Sequence, residues 1–338
     1  MFEKKIFIKK NIYIESCSRS NKTFIIAEAG VAHFGSLIKA KKLVDLAIKS
    51  GADAIKFQAY KTEELISRKY PNWFNRYKIK EVDFTFYKKV NNYCKRKKIV
   101  FLLTPHSVSA ILWLKKLNVP LIKIGSGELG NFEFIKKIME LKKPIIISTG
   151  MHELKDMRRL KIFFLKKNFF KVIFLRCVTL YPTLYKNINL RSFETFKNFF
   201  HPAIVGYSDH SDNELSILSS ITLGARIIEK HISLDFNVKN AQDWKVSCDY
   251  NSFKNLIKKI RTLELLLGKN KIEVSSEEKK SKIWATRSIH IKKDIKRGEV
   301  FSDKNLIFLR PGNGKNLKYF KKFIGKKANK NYYKDQKL

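Results

Sequence analysis

The sequence predicts an α/β fold: a (β/α)8 TIM barrel followed by a small β-rich domain. Between residues 24 and 268, eight short runs of β-branched and aliphatic residues alternate with segments of helical periodicity, which is the pattern and size of such a barrel. After Gly268 the chain becomes polar and charged, as expected of a linker that precedes a second domain. A doubly wound open sheet is the alternative, because alternation alone does not require the sheet to close.

The predicted strands are short and mostly apolar, as expected of strands that are buried on both faces. They are FIIA (24–27), AIKF (54–57), IVFLL (99–103), LIKI (121–124), PIIIS (144–148), KVIFL (171–175), AIVG (203–206) and ARIIE (225–229).

The predicted helices carry recognisable start and stop signals. The segment 36–51 has apolar residues at helical spacing, a serine at the N-cap position and a glycine at its end. A second helix is predicted over 212–224, with Asp212 as its cap, and the last helix of the barrel over 250–268.

The same signals divide the chain into four parts. We predict an N-terminal extension with a short hairpin (1–22), the barrel (23–270), a linker (271–282) and a C-terminal domain (283–338). Residues 287–314 alternate short apolar runs with turn residues, which is typical of a small β-rich module.

The charge is extreme, with 70 Lys and Arg against 30 Asp and Glu, a net +40. Such a field attracts nucleic acid or anionic small molecules. The lysines are spread along the whole chain, however, and Asn, Ile and Phe are also abundant, a pattern that A/T-rich codons produce without any partner. We therefore predict no specific nucleic-acid or membrane partner, and a basic nucleic-acid-binding protein is kept as an alternative function.

Cysteine spacing and the N-terminal residues indicate the compartment. Cys17, Cys94, Cys177 and Cys248 lie far apart and form no CxxC pair, so we expect free thiols in a reducing environment. The first residues lack a signal-peptide run and no stretch approaches a membrane span. These features predict a cytoplasmic protein.

Polar residues cluster where the predicted strands end, which is where barrels of this class place their sites. Two lysines lie inside strands, at Lys56 and Lys123, and a GSGE loop (125–128) follows the fourth strand. Lysines, hydroxyls and the backbone amides of Gly125 and Gly127 are suited to a phosphate or a carboxylate. The two lysines could instead pair with carboxylates in a purely structural role.

Two imidazoles follow adjacent strands, at His210 and His231. Such a pair can share one divalent cation and leave positions open for water and substrate. Taken alone, His210 is equally compatible with a surface histidine in a polar loop. Four other histidines are interpreted as surface or packing residues: His33, His152, His201 and His290.

Taken together, the motifs resemble the sialic acid synthase family, whose members make N-acetylneuraminate, legionaminate or pseudaminate. The matching segments run in family order and are AEAGVAHFGS (27–36), GADAIKFQ (51–58), TPHS (104–107), KIGSGE (123–128), ISTGM (147–151), YPT (181–183), GYSDHS (206–211), GARIIEKH (224–231) and RPGNG (310–314).

This resemblance implies a barrel with an antifreeze-like (SAF) C-terminal domain, in a domain-swapped homodimer where that domain covers the partner's active site. It implies a transferase that condenses phosphoenolpyruvate with an N-acylated amino sugar, such as N-acetylmannosamine or a 6-deoxy diacetamido analogue. Water is consumed, and a nonulosonic acid and phosphate form by C–O cleavage. It also implies a divalent metal, Mn²⁺ foremost, with Mg²⁺ or Co²⁺ as alternatives.

The resemblance assigns roles by motif position. It makes His210 and His231 the metal ligands. It places seven residues around phosphoenolpyruvate: Lys56, Thr104, Lys123, Ser126, Ser148, Thr179 and Ser208. It places Gln58, Asp243 and, from the partner subunit, Arg310 at the sugar. Glu28, Glu128 and Tyr181 become the candidate catalytic residues, with Glu128 activating the attacking water.

The chain also departs from the family pattern. Ala32 and Phe34 stand where asparagines are usual, Trp244 stands where a histidine is usual, and His106 replaces a phenylalanine. The C-terminal domain also ends early, at Leu338. These departures indicate an altered acceptor sugar, or a degenerate barrel that serves as a binding subunit.

Overall fold

A computed structural model describes residues 1–9, 11–16, 22–238, 241 and 243–338. Cys17 lies outside the described residues, as do Asn240 and Gln242 of the 240–247 segment. The described chain divides into two compact units, 1–268 and 269–338. No helix among the described residues is both long and apolar enough to cross a membrane.

The first unit contains the predicted closed barrel, with parallel pairing between all neighbouring strands. The TIM-barrel prediction is therefore confirmed, and the open-sheet alternative is wrong. The barrel strands are β3 (Phe24–Gly30), β4 (Ala54–Ala59), β5 (Val100–Pro105), β6 (Ile122–Ile124), β7 (Ile145–Ser148), β8 (Val172–Cys177), β9 (Ile204–Asp209) and β10 (Ile227–His231).

A hairpin precedes the barrel. Its strands, β1 (Lys5–Lys9) and β2 (Ile12–Glu15), pair antiparallel. Their buried residues Ile6, Ile8 and Ile14 join the apolar cluster that fills the barrel interior. The hairpin therefore extends that interior core.

Along each barrel strand, the residues that face the barrel interior change from apolar to polar. Residues of the interior cluster such as Ile26, Leu121 and Ile227 are each followed two positions later by a buried polar residue, here Glu28, Lys123 and Glu229. Because side chains of a strand alternate between faces, a step of two keeps the same face. The barrel thus has an apolar layer and, toward the carboxyl ends of its strands, a polar one.

Helices of the first unit pack around the strands and bury the larger core. They are α1 (Leu37–Ser50), α2 (Thr62–Leu65), α3 (Pro71–Lys78), α4 (Phe84–Arg96), α5 (Val108–Leu117), α6 (Phe132–Met139), α7 (Leu154–Lys166), α8 (Tyr185–Ile188), α9 (Ser192–Phe200), α10 (Leu215–Thr222) and α11 (Tyr250–Leu267), with 3-10 turns at Ser126–Glu128 and Asp243–Val246.

The predicted helix signals hold for α1 and not for α10. Ser36 accepts a hydrogen bond from the Lys39 amide, and Gly51 ends α1 in the left-handed conformation with φ 91°. α10, by contrast, begins at Leu215, so the predicted cap at Asp212 is wrong. The reason is local, since the Asn213 side chain accepts the Leu215 amide at 2.8 Å and holds the preceding residues in a turn.

The second unit is a small β module with its own core around Ile289, Ile291 and Phe301. Its elements are α12 (Ser276–Ala285), β11 (Ser288–Ile291), β12 (Leu306–Leu309), a 3-10 turn (Leu317–Tyr319) and α13 (Phe320–Phe323), and β11 pairs antiparallel with β12. Helix α12 occupies part of the segment predicted as a linker.

Candidate active site

One cavity of about 460 Å³ lies at the carboxyl ends of the barrel strands. Fourteen of the fifteen predicted site residues line it: Glu28, Lys56, Gln58, Thr104, Lys123, Ser126, Glu128, Ser148, Thr179, Tyr181, Ser208, His210, His231 and Asp243. The exception is Arg310, which lies exposed in the second unit with its guanidinium carbon 5.9 Å from the Trp284 ring centre. The structure thus brings together residues that the sequence spreads over more than 200 positions.

A network of buried charges forms the floor of this cavity. Lys56 Nζ lies 2.7 Å from Glu28 Oε2 and 3.7 Å from Glu229 Oε2, while Lys123 Nζ lies 3.5 Å from Glu229 Oε1. Lys56 also donates to Thr104 Oγ1 (3.1 Å), and Ser208 Oγ donates to Glu229 (3.1 Å). The lysines therefore pair with carboxylates, as the structural alternative proposed, and they also line the cavity.

The charges of this network depend on one another. Burial alone would raise the pKa of Glu229, but Lys123 and Lys56 outweigh it and hold that pKa at about 2. Burial disfavours the charged form of Lys56, but Glu229 and Glu28 more than offset this and raise its pKa. For Lys123 burial dominates, and its pKa is lowered. Removing Glu229 would leave the Lys123 ammonium buried without its carboxylate, and removing Lys56 would leave the Glu28 carboxylate buried without its lysine.

Sequence reasoning missed Glu229, to which it assigned no role. The signal was present: it lies two positions before His231, on the same face of β10, and two interior lysines require buried carboxylates.

Two hydroxyls in the cavity have no hydrogen-bond partner among the described residues, although their oxygens are buried: Ser148 Oγ and Thr179 Oγ1. Beside them, Ser126 Oγ accepts the backbone N–H of Gly150 at 2.9 Å. A side chain at position 150 would collide with Thr179. Glycine at this position therefore allows the loops that carry Gly150 and Thr179 to lie in contact. Unpartnered hydroxyls near a lysine are suited to the oxygens of an anion.

The two predicted metal ligands face each other, with ring centres 5.3 Å apart. His210 Nδ1 lies 2.7 Å from the Val178 carbonyl oxygen, which can only accept, so Nδ1 carries a proton and Nε2 is the nitrogen available to a metal. Burial lowers the pKa of His210, but Cys177 outweighs it and the pKa is raised. Burial lowers the pKa of His231 to about 3, which leaves that ring neutral. Tyr181 Oη lies 2.9 Å from His210 Nε2.

This donor set fits a shared divalent cation. Two imidazoles supply two ligands, and no group of three His, Cys, Asp or Glu side chains suited to a metal occurs among the described residues. Water and substrate oxygens would therefore complete the coordination. Asp209, which follows Ser208, does not take part, because its carboxylate accepts from Lys230 (2.6 Å), Ser211 and Ser216.

The proposed sugar side is built around Glu28. Gln58 Nε2 donates to Glu28 Oε1 at 2.8 Å. A Cβ at Gly30 would lie 3.5 Å from both Asp243 Oδ2 and Glu28 Oε1, and Gly30 has φ +53°. These distances are ordinary van der Waals contacts, so glycine is favoured at this position by its left-handed backbone and not by a lack of space.

The departures from the family pattern lie in the cavity wall, where Ala32, Phe34, His106 and Trp244 all contribute. His33 is fully buried and packs 4.7 Å from the Phe86 ring, so its interpretation as a packing residue is confirmed. Sequence reasoning also missed five lining residues, because they come from the long β4–α4 connection: Leu65, Trp73, Arg76, Tyr77 and Lys80.

Family models match both units of this chain, and known synthases align with most of it. Residues 43–272 match the NeuB family and residues 286–338 match the SAF domain. The N,N'-diacetyllegionaminic acid synthase of Campylobacter jejuni is 37% identical over 93% of this chain and 98% of its own length. A pseudaminic acid synthase of the same species is 33% identical over 94% of this chain and 95% of its own length.

A solved structure extends the comparison to three dimensions. The N-acetylneuraminic acid synthetase of Leptospira borgpetersenii, crystallised with citrate, superposes with a TM-score of 0.75 at 30% identity, covering 82% of this chain and 94% of its own. Since the family match spans more than half of the sequence and full-length synthases align with nearly all of it, the chain belongs to the NeuB family.

Proposed function

We propose that this enzyme condenses phosphoenolpyruvate with an N-acylated amino sugar and water to give a nonulosonic acid and phosphate. The observation that best supports the proposal is the composition of one cavity. It combines two interior lysines, two buried hydroxyls that have no partner among the described residues, and a pair of facing histidines. Family membership supports the synthase class.

The residues of the cavity suit each part of this reaction. Lys56, Lys123 and the hydroxyls would hold the phosphate, and the Glu28 carboxylate would stabilise positive charge at carbon two of phosphoenolpyruvate. His210 and His231 would hold a divalent metal, which when bound supplies Lewis-acid polarisation of the sugar aldehyde.

Bond formation can then be followed atom by atom. Carbon three of phosphoenolpyruvate bonds to the aldehyde carbon while the aldehyde C=O π bond breaks and its electron pair stays on that oxygen, which leaves a cation at carbon two. A water oxygen bonds to carbon two and passes one proton to Glu128. The tetrahedral adduct then breaks the bond between carbon two and the phosphate oxygen, whose electron pair leaves with phosphate, and the hydroxyl at carbon two becomes the ketone as it loses its proton. The two water protons end on the new sugar hydroxyl and on the phosphate.

The direct test is phosphate release from phosphoenolpyruvate. N-acetylmannosamine and the precursors of legionaminate and pseudaminate should be compared, each with and without Mn²⁺. Release that requires both a sugar and the metal would support the proposal. No release with any sugar would instead favour a degenerate barrel. The acceptor, the homodimer and the cytoplasmic location stay predictions.

Replacing Ser148 by Ala should raise KM for phosphoenolpyruvate by about tenfold, because one hydrogen bond to a charged group is worth about 1.5–3 kcal/mol. Steady-state kinetics with varied phosphoenolpyruvate measure it. Ser220→Ala is the matched control, since this buried hydroxyl donates to the Ile217 carbonyl away from the cavity. An unchanged KM in Ser148→Ala would remove that residue from the phosphate site.

Replacing Glu128 by Gln should lower kcat by about a hundredfold, since general-base assistance contributes about 10²–10⁴. The amide keeps the shape of the side chain and cannot accept the proton. A turnover rate within a few-fold of wild type would exclude Glu128 as the base.

Replacing Arg310 by Ala should chiefly raise KM for the sugar, by about tenfold for one lost charged hydrogen bond, and leave kcat nearly unchanged. Arg310 is exposed in its own unit, so stability should hold. Unchanged sugar kinetics would contradict a contribution of this residue to a partner's site.

A further inference from the structure

His106 and Glu128 face each other across the ends of neighbouring strands β5 and β6. His106 Nδ1 lies 3.8 Å from Glu128 Oε1, and both side chains line the cavity. They are also largely covered, with side-chain exposures of 21% and 11%. A Cβ at Gly125 would lie only 3.1 Å from His106 Cε1, so the ring lies directly against the start of the GSGE loop.

The backbone on both sides of this pair is fixed. The His106 amide donates to the Ala59 carbonyl at 2.8 Å, and the next residue, Ser107, caps α5 by accepting the Ala110 amide. The Glu128 amide donates to the Gly125 carbonyl at 3.2 Å within the 3-10 turn. The imidazole therefore has little freedom to move away from the carboxylate.

The two oxygens of Glu128 have different surroundings. Oε2 accepts a hydrogen bond from Asn131 Nδ2 at 2.7 Å, which anchors the carboxylate on the side of α6. Oε1 is the oxygen that faces His106. An imidazole N–H at 3.8 Å is beyond direct hydrogen-bond distance, but it is close enough to orient that oxygen through its dipole or through one bridging water.

We propose that His106 is a positioning residue that orients the Glu128 carboxylate for its role in water addition. The inference rests on the proposed function, in which Glu128 accepts the proton of the attacking water. A phenylalanine at this position could not perform this task, because its ring has a similar size but no nitrogen.

The test is a double-mutant cycle on the full-length enzyme, with kcat and both KM values measured by phosphate release. His106→Phe should lower kcat by about tenfold, which is part of the about 10²–10⁴ that general acid–base assistance contributes, and leave KM for phosphoenolpyruvate within about twofold. In the Glu128→Gln background, the same His106→Phe change should cost nothing further, because there is no base left to orient. His106→Gln, which keeps a donor, should recover part of the loss.

Controls separate this inference from the proposed function. His201→Phe makes the same ring exchange at an exposed histidine outside the cavity lining and should leave kinetics unchanged. If circular dichroism shows that His106→Phe does not fold, His106→Gln and its double mutant with Glu128→Gln replace it in the cycle.

If the wild type is active, the proposed synthase function stands, and three results would then overturn the inference about His106. They are unchanged kcat in His106→Phe, losses that multiply in the double mutant, and a raised KM for phosphoenolpyruvate at unchanged kcat. The last would mean that His106 contacts the substrate itself. A wild type that releases no phosphate with any acceptor would remove both proposals.

Discussion

Replacing His210 by Ala is expected to abolish metal-dependent phosphate release while the protein stays folded. Nε2 of His210 is the nitrogen available to a metal, and the ring centre lies 5.3 Å from that of His231. Removing one of two protein ligands leaves a single imidazole, which is too few to hold a divalent ion in the presence of water. The stability cost should be small, at about 1–3 kcal/mol for the Val178 carbonyl that loses its donor.

Metal binding should be measured directly as well as through turnover. Titration of Mn²⁺ followed by electron paramagnetic resonance reports the bound ion without any substrate. His201→Ala removes an exposed histidine outside the cavity lining and should bind Mn²⁺ as wild type does. Wild-type Mn²⁺ affinity in His210→Ala would show that the metal is held elsewhere.

Replacing Glu229 by Gln should damage both stability and substrate binding. The change leaves Lys123 buried without its carboxylate, 3.5 Å away in the native chain, although Lys56 keeps Glu28. Breaking one partner of a buried ion pair costs about 3–5 kcal/mol. Lys123 can escape this cost by losing its proton, which would remove a positive charge from the proposed phosphate site. We therefore expect kcat/KM for phosphoenolpyruvate to fall by about a hundredfold or more, as when an electrostatic contact in an active site is lost.

A neighbouring residue gives the matched control. Lys230 lies on the opposite face of β10 and pairs with Asp209 at 2.6 Å, outside the cavity lining. Lys230→Met should lower the free energy of urea unfolding by a similar amount, yet leave KM for phosphoenolpyruvate unchanged in the folded protein. Wild-type stability and KM in Glu229→Gln would contradict the charge network described above.

Most of the fold follows from local sequence signals. Ser36 and Gly51 mark the limits of α1 correctly because a serine N-cap and a left-handed glycine satisfy the backbone groups at the helix ends without outside help. The start of α10 was predicted wrongly because Asn213 and Ser211 engage neighbouring residues. Several polar residues precede this helix, and the sequence pattern does not show which of them makes these local hydrogen bonds and so sets where the helix begins.

The sequence predicts the residues of the candidate site only where they lie at the carboxyl ends of predicted strands. His210 and His231 could be paired once adjacent parallel strands were predicted, since the carboxyl ends of these strands meet on one side of a barrel. The partners of Lys56 and Lys123 could not be assigned, because pairing depends on barrel closure and on the stagger between strands. Trp73 and Arg76 belong to a long connection, and nothing in their spacing indicates that it folds back over the cavity.

The layering of the barrel has a kinetic consequence for the proposed reaction. Below the polar layer, the interior is filled by apolar residues and extended by the N-terminal hairpin. Lys56 and Lys123, at 3% and 4% side-chain exposure, lie deep, whereas Trp73 at the rim is 64% exposed. In the proposed reaction, a compound that reaches the lysines would pass the residues proposed to bind the acceptor. Substrate addition should therefore be ordered, with phosphoenolpyruvate first and sugar second, and an excess of sugar should slow the release of unreacted phosphoenolpyruvate.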